Sequence, residues 1–213
     1  GPDTTLAPRL QLWSVGTEST QPRVRELVSL AGDADHPSFS PDGRRLAFIG
    51  TDVDDPPDDV NPSLWVMDLP SGTPRNLTAG LDRPIGEWAW CDLLMADDVP
   101  GPVWLDDGSL AVIVGDSGRD VPYRVTLDGE ATPLADRGLA IAAASIAAAG
   151  DRIVVCAALE GASGDLWAIG DGRLRRITRE GSRWQSRFPR VELSEHTFDG
   201  PGGPIQAWPP ERT

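Results

Sequence analysis

Gly115-Asp-Ser-Gly118 has the form of a glycine-flanked loop able to present a nucleophilic serine. His36, an aspartate and Ser117 even follow one chain order used by Ser-His-Asp triads. His36, however, stands in Asp35-His-Pro-Ser with no motif around it, and the only other histidine is His196. The acidic run Asp52, Asp54, Asp55, Asp58 and Asp59, with Pro56 and Pro57, offers carboxylates for calcium. It lacks the alternating Asp-x-Asp-x-Asp-Gly spacing of a calcium loop and reads as a solvated loop. Cys91 and Cys156 lie far apart with no histidine or cysteine at ligand spacing. The expectation is therefore no metal, no cofactor and no catalytic residue in this chain.

Composition narrows the partners. The 213 residues carry 33 acidic and 19 basic side chains, a net charge of −14. A nucleic-acid groove needs a basic stripe and an acidic membrane surface needs a basic patch, so neither partner is expected. All 19 basic residues are arginine, which together with abundant Ala, Gly and Pro suggests GC-rich coding and a bacterial source. Two isolated cysteines point to a reduced, cytoplasmic setting. The longest apolar run, 139–149, is too short and too alanine-rich to cross a bilayer. The first residues, Gly-Pro-Asp-Thr-Thr, form no signal peptide.

The elements that would position any site are strands in a repeat. Ser38-Phe-Ser-Pro-Asp-Gly-Arg-Arg-Leu-Ala-Phe-Ile-Gly50 reads as a hairpin whose Pro41-Asp42-Gly43 corner supplies the positive φ of a tight turn. Leu64–Leu69 and Pro74–Thr78 then read as a second hairpin. The order recurs in Val103–Val114 with Tyr123–Gly129 and Thr132–Leu134, and again in Ala144–Val155 with Asp165–Gly172 and Leu174–Thr178. Leu10–Val15 and Val24–Val28 match the second hairpin alone. Trp13, Trp65, Tyr123 and Trp167 mark the register at intervals of 52, 58 and 44 residues, fitting β-propeller blades of roughly 40–50 residues. The predicted fold is all-β, with blades of four antiparallel strands forming about three and a half blades of a partial ring. An arc of that size leaves apolar end faces, so remaining propeller blades are expected as partners from elsewhere in a longer protein. Ala142–Ala149 suits an inner strand near the axis; an alanine-rich helix is the rival reading. The eight tryptophans read as packing between blades. Gly115–Gly118 falls where a blade needs its second inter-strand loop.

The unit Ser-Phe-Ser-Pro-Asp-Gly-x-x-Leu-Ala-Phe, with Leu-Trp-Val-Met-Asp-Leu and Arg-Asn-Leu-Thr, resembles the repeat of prolyl-oligopeptidase-family and TolB-like propellers. Asp82–Asp92 with Pro102–Gly108 looks like a blade of acylaminoacyl-peptidase-like members. The tail Val191–Trp208 resembles the segment that leaves such a propeller for an α/β-hydrolase domain. That resemblance divides the chain into the second half of a blade (1–35), blades at 36–82, 83–138 and 139–181, and a junction at 182–213 leading into a hydrolase domain not in this chain. The family's nucleophile sits on Gly-x-Ser-x-Gly, which does not occur here. The chain alone is thus expected to be non-catalytic and its parent a serine peptidase.

The function implied is a propeller that gates and orients small peptide substrates, with dipeptidyl- or carboxypeptidase specificity as variants within the family. The alternative is a non-enzymatic TolB-like or WD-repeat-like scaffold that binds proteins. Loops between blades and between a blade's middle strands emerge on one face, which predicts Arg83, Glu87, Arg119 and Arg137 around one mouth of the channel. Arginine there can clamp a peptide carboxylate and glutamate can pair with an amino terminus. Trp88 and Trp90 are the tryptophans expected to line a pocket. Peptide substrates, the hydrolase domain of the same protein and a possible homo-oligomer complete the expected partners.

Overall fold

The structure is a computed structural model and describes residues 10–16, 23–57, 60–86, 101–135, 142–150, 152–159, 162–187 and 195–207. Strands β1 (Trp13–Val15) and β2 (Val24–Glu26) form a two-stranded antiparallel sheet. A first blade follows from β3 (Ala34–Phe39), β4 (Arg45–Gly50), β5 (Ser63–Asp68) and β6 (Arg75–Asn76). The second blade comprises β7 (Val103–Trp104), β8 (Leu110–Asp116), β9 (Arg119–Val125) and β10 (Ala131–Pro133). The third comprises β11 (Ala142–Ala149), β12 (Arg152–Leu159), β13 (Ala162–Gly170) and β14 (Arg173–Arg176). Each of these three is a four-stranded sheet in simple sequence order. A helix, α1 (Glu180–Gln185), and a hairpin of β15 (His196–Gly200) and β16 (Gly203–Ala207) complete the described chain.

Local chemistry explains the repeat. In the first hairpin turn the Asp42 carboxylate accepts from Ser40 Oγ (2.6 Å) and Arg44 N (3.0 Å), while Gly43 takes φ 69°. Asp107 plays the same part in the second blade, accepting from Ser109 Oγ and N with Gly108 at φ 79°. These donors hold both aspartates below the ordinary carboxylate range, the serine hydroxyls contributing most. At the blade ends, Leu64 N donates to Thr78 Oγ1 and Leu166 N to Thr178 Oγ1, both at 2.9 Å. The bond from Leu77 N to Leu64 O (2.8 Å) recurs from Ile177 N to Leu166 O and from Leu27 N to Leu12 O. The last equivalence identifies β1 and β2 as the outer half of a blade, with no inner strands paired to them among the described residues.

Three apolar layers lie between successive sheets. Leu12, Val28, Leu46, Phe48 and Trp65 fill the first, between the half-blade and the first blade. Ala47, Leu64, Val112, Val114 and Tyr123 fill the next, and Ile113, Ile146, Val155, Trp167 and Ile169 fill the third. Residues of β4 alternate between two of these layers, as strands buried on both faces must. Polar bonds cross the joint between the first and second blades: Arg75 Nη1 donates to Leu127 O (2.7 Å), and Trp104 Nε1 donates to Ser38 O (3.0 Å).

The tryptophans divide. Trp65, Trp104 and Trp167 are buried, but Trp13 is 55% exposed and Trp184 on α1 is 43% exposed. This corrects the packing role expected for Trp13 and Trp184. Trp65 and Trp167 each face the preceding sheet; Trp13 holds the same strand position in a half-blade with nothing described in front of it. Trp88, Trp90 and Trp208 lie outside the described residues. The 142–149 run is a strand, paired with β12 over its length.

Two features were not anticipated. The helix α1 follows β14, where the end of a blade and a junction were expected. The inner strand of the second blade is also split. Ile85 bridges Val114, Gly86 N donates to Ile113 O (2.8 Å) and Gly115 N donates to Pro84 O (3.0 Å). Residues 84–86 therefore lie along β8 in line with β7 (Val103–Trp104). The inner strands of the other blades are irregular at nearly the same level, between Asp35 and Ser38 in β3 and between Ala143 and Ser145 in β11.

Candidate functional site

A cluster of polar side chains on a blade edge surrounds Asp116, the last residue of β8. Its carboxylate is 4% exposed as a residue and accepts from Arg83 Nε (3.1 Å), Ser117 Oγ (3.0 Å) and Tyr123 Oη (2.8 Å). Arg83 reaches it from the segment linking the first and second blades, where Arg83 Nη1 also donates to Asp82 O (2.5 Å). The guanidinium is thus oriented from behind by a buried anion, yet its side chain stays 44% exposed. Arg119 faces Asp116 in the β8–β9 register. Its Nη2 donates to Glu195 Oε2 at 2.5 Å.

Arg83 and Arg119 are therefore brought to one edge, the loop side of β8 and β9. Glu87, Trp88, Trp90 and Arg137 lie outside the described residues. The sequence reading missed Asp116, Tyr123 and Glu195. Asp116 stands in Gly115-Asp-Ser-Gly118 at the end of the apolar run of β8, but no local feature marks it as a hub.

Gly115–Gly118 itself closes the β8–β9 hairpin, with Ser117 at φ 56° and Gly118 at φ 71°. Ser117 is a turn residue whose hydroxyl is donated to its neighbour's carboxylate. His36 sits in the inner-strand irregularity of the first blade, at φ 50°, with Nδ1 2.7 Å from Asp35 Oδ1. His196 stacks on Phe198 at 6.1 Å within the hairpin. In the acidic loop, Asp52 Oδ1 accepts from Ala31 N (2.8 Å) and so ties the loop to the segment before β3; Asp58 and Asp59 lie outside the described residues. Among the described residues no three His, Cys, Asp or Glu side chains are grouped to hold a metal. No helix among them is long and apolar enough to cross a membrane.

A second feature is a broad groove of about 910 Å³ on the third blade, lined by Arg152, Val154, Ala168, Arg173, Arg175 and Ile177. Its lining also includes Ile153, Ile169 and Leu174, which belong to or pack against the layer shared with the second blade.

No family model matches the sequence, and no curated protein matches it. Solved structures do match. The chain aligns over 93% of its length with an acylaminoacyl peptidase from Pyrococcus horikoshii at 14% identity and a TM-score of 0.62, covering 28% of that chain. An acylaminoacyl peptidase in complex with a chloromethyl ketone aligns over 87% at 15% identity and a TM-score of 0.59, covering 26% of that chain. TolB from Acinetobacter baumannii aligns over 91% at 18% identity and a TM-score of 0.51, covering 44% of that chain. These sheets are the blades of a β-propeller. At such identities the likeness establishes the fold, and the chain spans less than half the length of each of these structures.

Proposed function

We propose that this propeller arc belongs to a bacterial, cytoplasmic serine exopeptidase or oligopeptidase of the prolyl-oligopeptidase type, acylaminoacyl-peptidase-like, and gates and orients small peptides for a hydrolase domain elsewhere in the same protein. Arg83 is the residue proposed to touch substrate. The observation that carries this role is its guanidinium, fixed by buried Asp116 and still 44% exposed. A planar fork pre-oriented in this way loses little freedom when it takes a carboxylate in bidentate fashion. The high coverage by two acylaminoacyl peptidases supports the reading. Glu87, Arg137, Trp88 and Trp90 remain proposed neighbours of the same mouth.

The test has two parts. Fluorophosphonate labelling of the parent protein is expected to mark a serine in a Gly-x-Ser-x-Gly sequence, and an unlabelled parent refutes a serine-peptidase role. Arg83→Ala is expected to weaken binding of free-carboxylate peptides about 10-fold or more, a charge-assisted hydrogen bond being worth ~1.5–3 kcal/mol. Amidated peptides should be little affected, and equal loss for both removes Arg83 from the site. The TolB likeness favours a second reading, a protein-binding propeller without chemistry, which predicts the unlabelled parent.

A further inference from the structure

The C-terminal hairpin follows the third blade in sequence, yet its strongest polar tether reaches the second. Glu195, the residue just before β15, accepts from Arg119 Nη2 on one oxygen and from Gln206 Nε2 on the other, each at 2.5 Å. Gln206 lies in β16, where it faces Thr197 of β15. One carboxylate therefore joins the start of one hairpin strand, the side chain of the other and a blade edge 76 residues earlier in the chain. The pair is partly sheltered, with side chains 20% exposed for Arg119 and 39% for Glu195. The bonds from Gln206 and then Arg119 keep the Glu195 carboxyl below its ordinary range, so the carboxylate is charged at neutral pH.

Among the described residues the hairpin has little apolar anchoring. Its directly opposed apolar pair, Phe198 and Ile205, is 53% and 54% exposed. Among the described residues no apolar layer of the propeller includes β15 or β16. An element with little apolar burial depends on its polar contacts for position.

We propose that Arg119 and Glu195 form a latch that sets the position of the β15–β16 hairpin against the second blade. Arg119 is then a positioning residue at the mouth rather than a free substrate clamp, while Arg83 beside it stays available. The inference stands on this ion pair alone and holds whether or not a hydrolase follows.

Amide hydrogen exchange on the full chain tests it, comparing wild type with Glu195→Gln, Arg119→Ala and Arg119→Lys. Glu195→Gln and Arg119→Ala are expected to speed exchange across 196–207 roughly two- to fivefold, the range for a partly exposed ion pair. Exchange in β8 and β9 should stay unchanged, and Arg119→Lys should recover part of the protection. Raising ionic strength should move wild type toward the variants and leave Glu195→Gln unmoved. Unchanged hairpin exchange in Glu195→Gln overturns the latch. So does acceleration shared equally by β8 and β9, which would mark general loosening of the blade. If Arg119→Ala fails to fold, the near-isosteric Glu195→Gln and the salt series decide the matter between them.

Discussion

Replacing Asp165 with asparagine is the sharpest test of what holds the third blade together. Asp165 is fully buried and opens the apolar stretch of β13. Its carboxylate accepts from Arg176 Nη2 (2.7 Å) and Nε (3.1 Å), Thr178 Oγ1 (2.8 Å), Gly181 N (3.1 Å) and Ser182 N (3.3 Å). It thus joins β13 to β14 and anchors the first turn of α1. Arg176 also lies over the Trp167 ring at 5.0 Å, so the ion pair is seated on the core. Asparagine keeps the shape but presents an amide to a set of donors and leaves Arg176 without its counter-ion. Breaking a buried pair costs about 3–5 kcal/mol. Arg176 keeps 21% side-chain exposure, and water reaching it argues for the lower end, about 3 kcal/mol. For a chain of this size that corresponds to a fall of roughly 6–12 °C in the melting midpoint. Denaturant unfolding followed by tryptophan fluorescence gives the energy, and exchange at Gly181 and Ser182 reports the local loss. A change below about 1 kcal/mol, the level of a surface pair, would refute the reasoning.

The same carboxylate gives a pH dependence. Burial, the largest single influence, pushes Asp165 up, but the bonds from Thr178, Gly181 and Arg176 and the guanidinium charge together hold it below the ordinary range. Its stabilisation is therefore complete above the unfolded-state value and declines as pH falls toward the folded one; acid titration of stability in wild type and Asp165→Asn should converge at low pH. The tryptophans supply a paired prediction. Trp65→Ala should cost about 3–5 kcal/mol, because Trp65 is buried, stacks on Phe48 and donates from Nε1 to Gly50 O at 3.0 Å. Trp13→Ser should cost under about 1 kcal/mol, as exposed positions do; equal losses in denaturant titrations would show Trp13 to be covered.

Strand identity and order were legible from residues 38–178 because each piece of evidence is local. Continuous apolar runs such as Leu46–Ile49, the Asp-Gly corners and the Leu-Thr or Ile-Thr blade ends act over a few residues, and they repeat, so each copy corroborates the others. Nothing local announces which carboxylates become buried hubs. Asp116 and Asp165 look like any loop-edge aspartate until Tyr123, Arg83, Arg176 and the amides of α1 converge on them from other elements. The splitting of the second inner strand also escaped, since Pro84–Gly86 gains its strand character from β8 and not from its own residue types.

Residue order along the chain thus sets the unit of construction, a four-stranded sheet apolar on both faces, and hence the need for neighbours. Only the tertiary structure decided which charged side chains meet: Arg83 with Asp116, and Arg119 with Glu195 from 76 residues away. Hydrophobic patterning is set by near neighbours along the chain, whereas an ion pair is set by where distant segments come to rest.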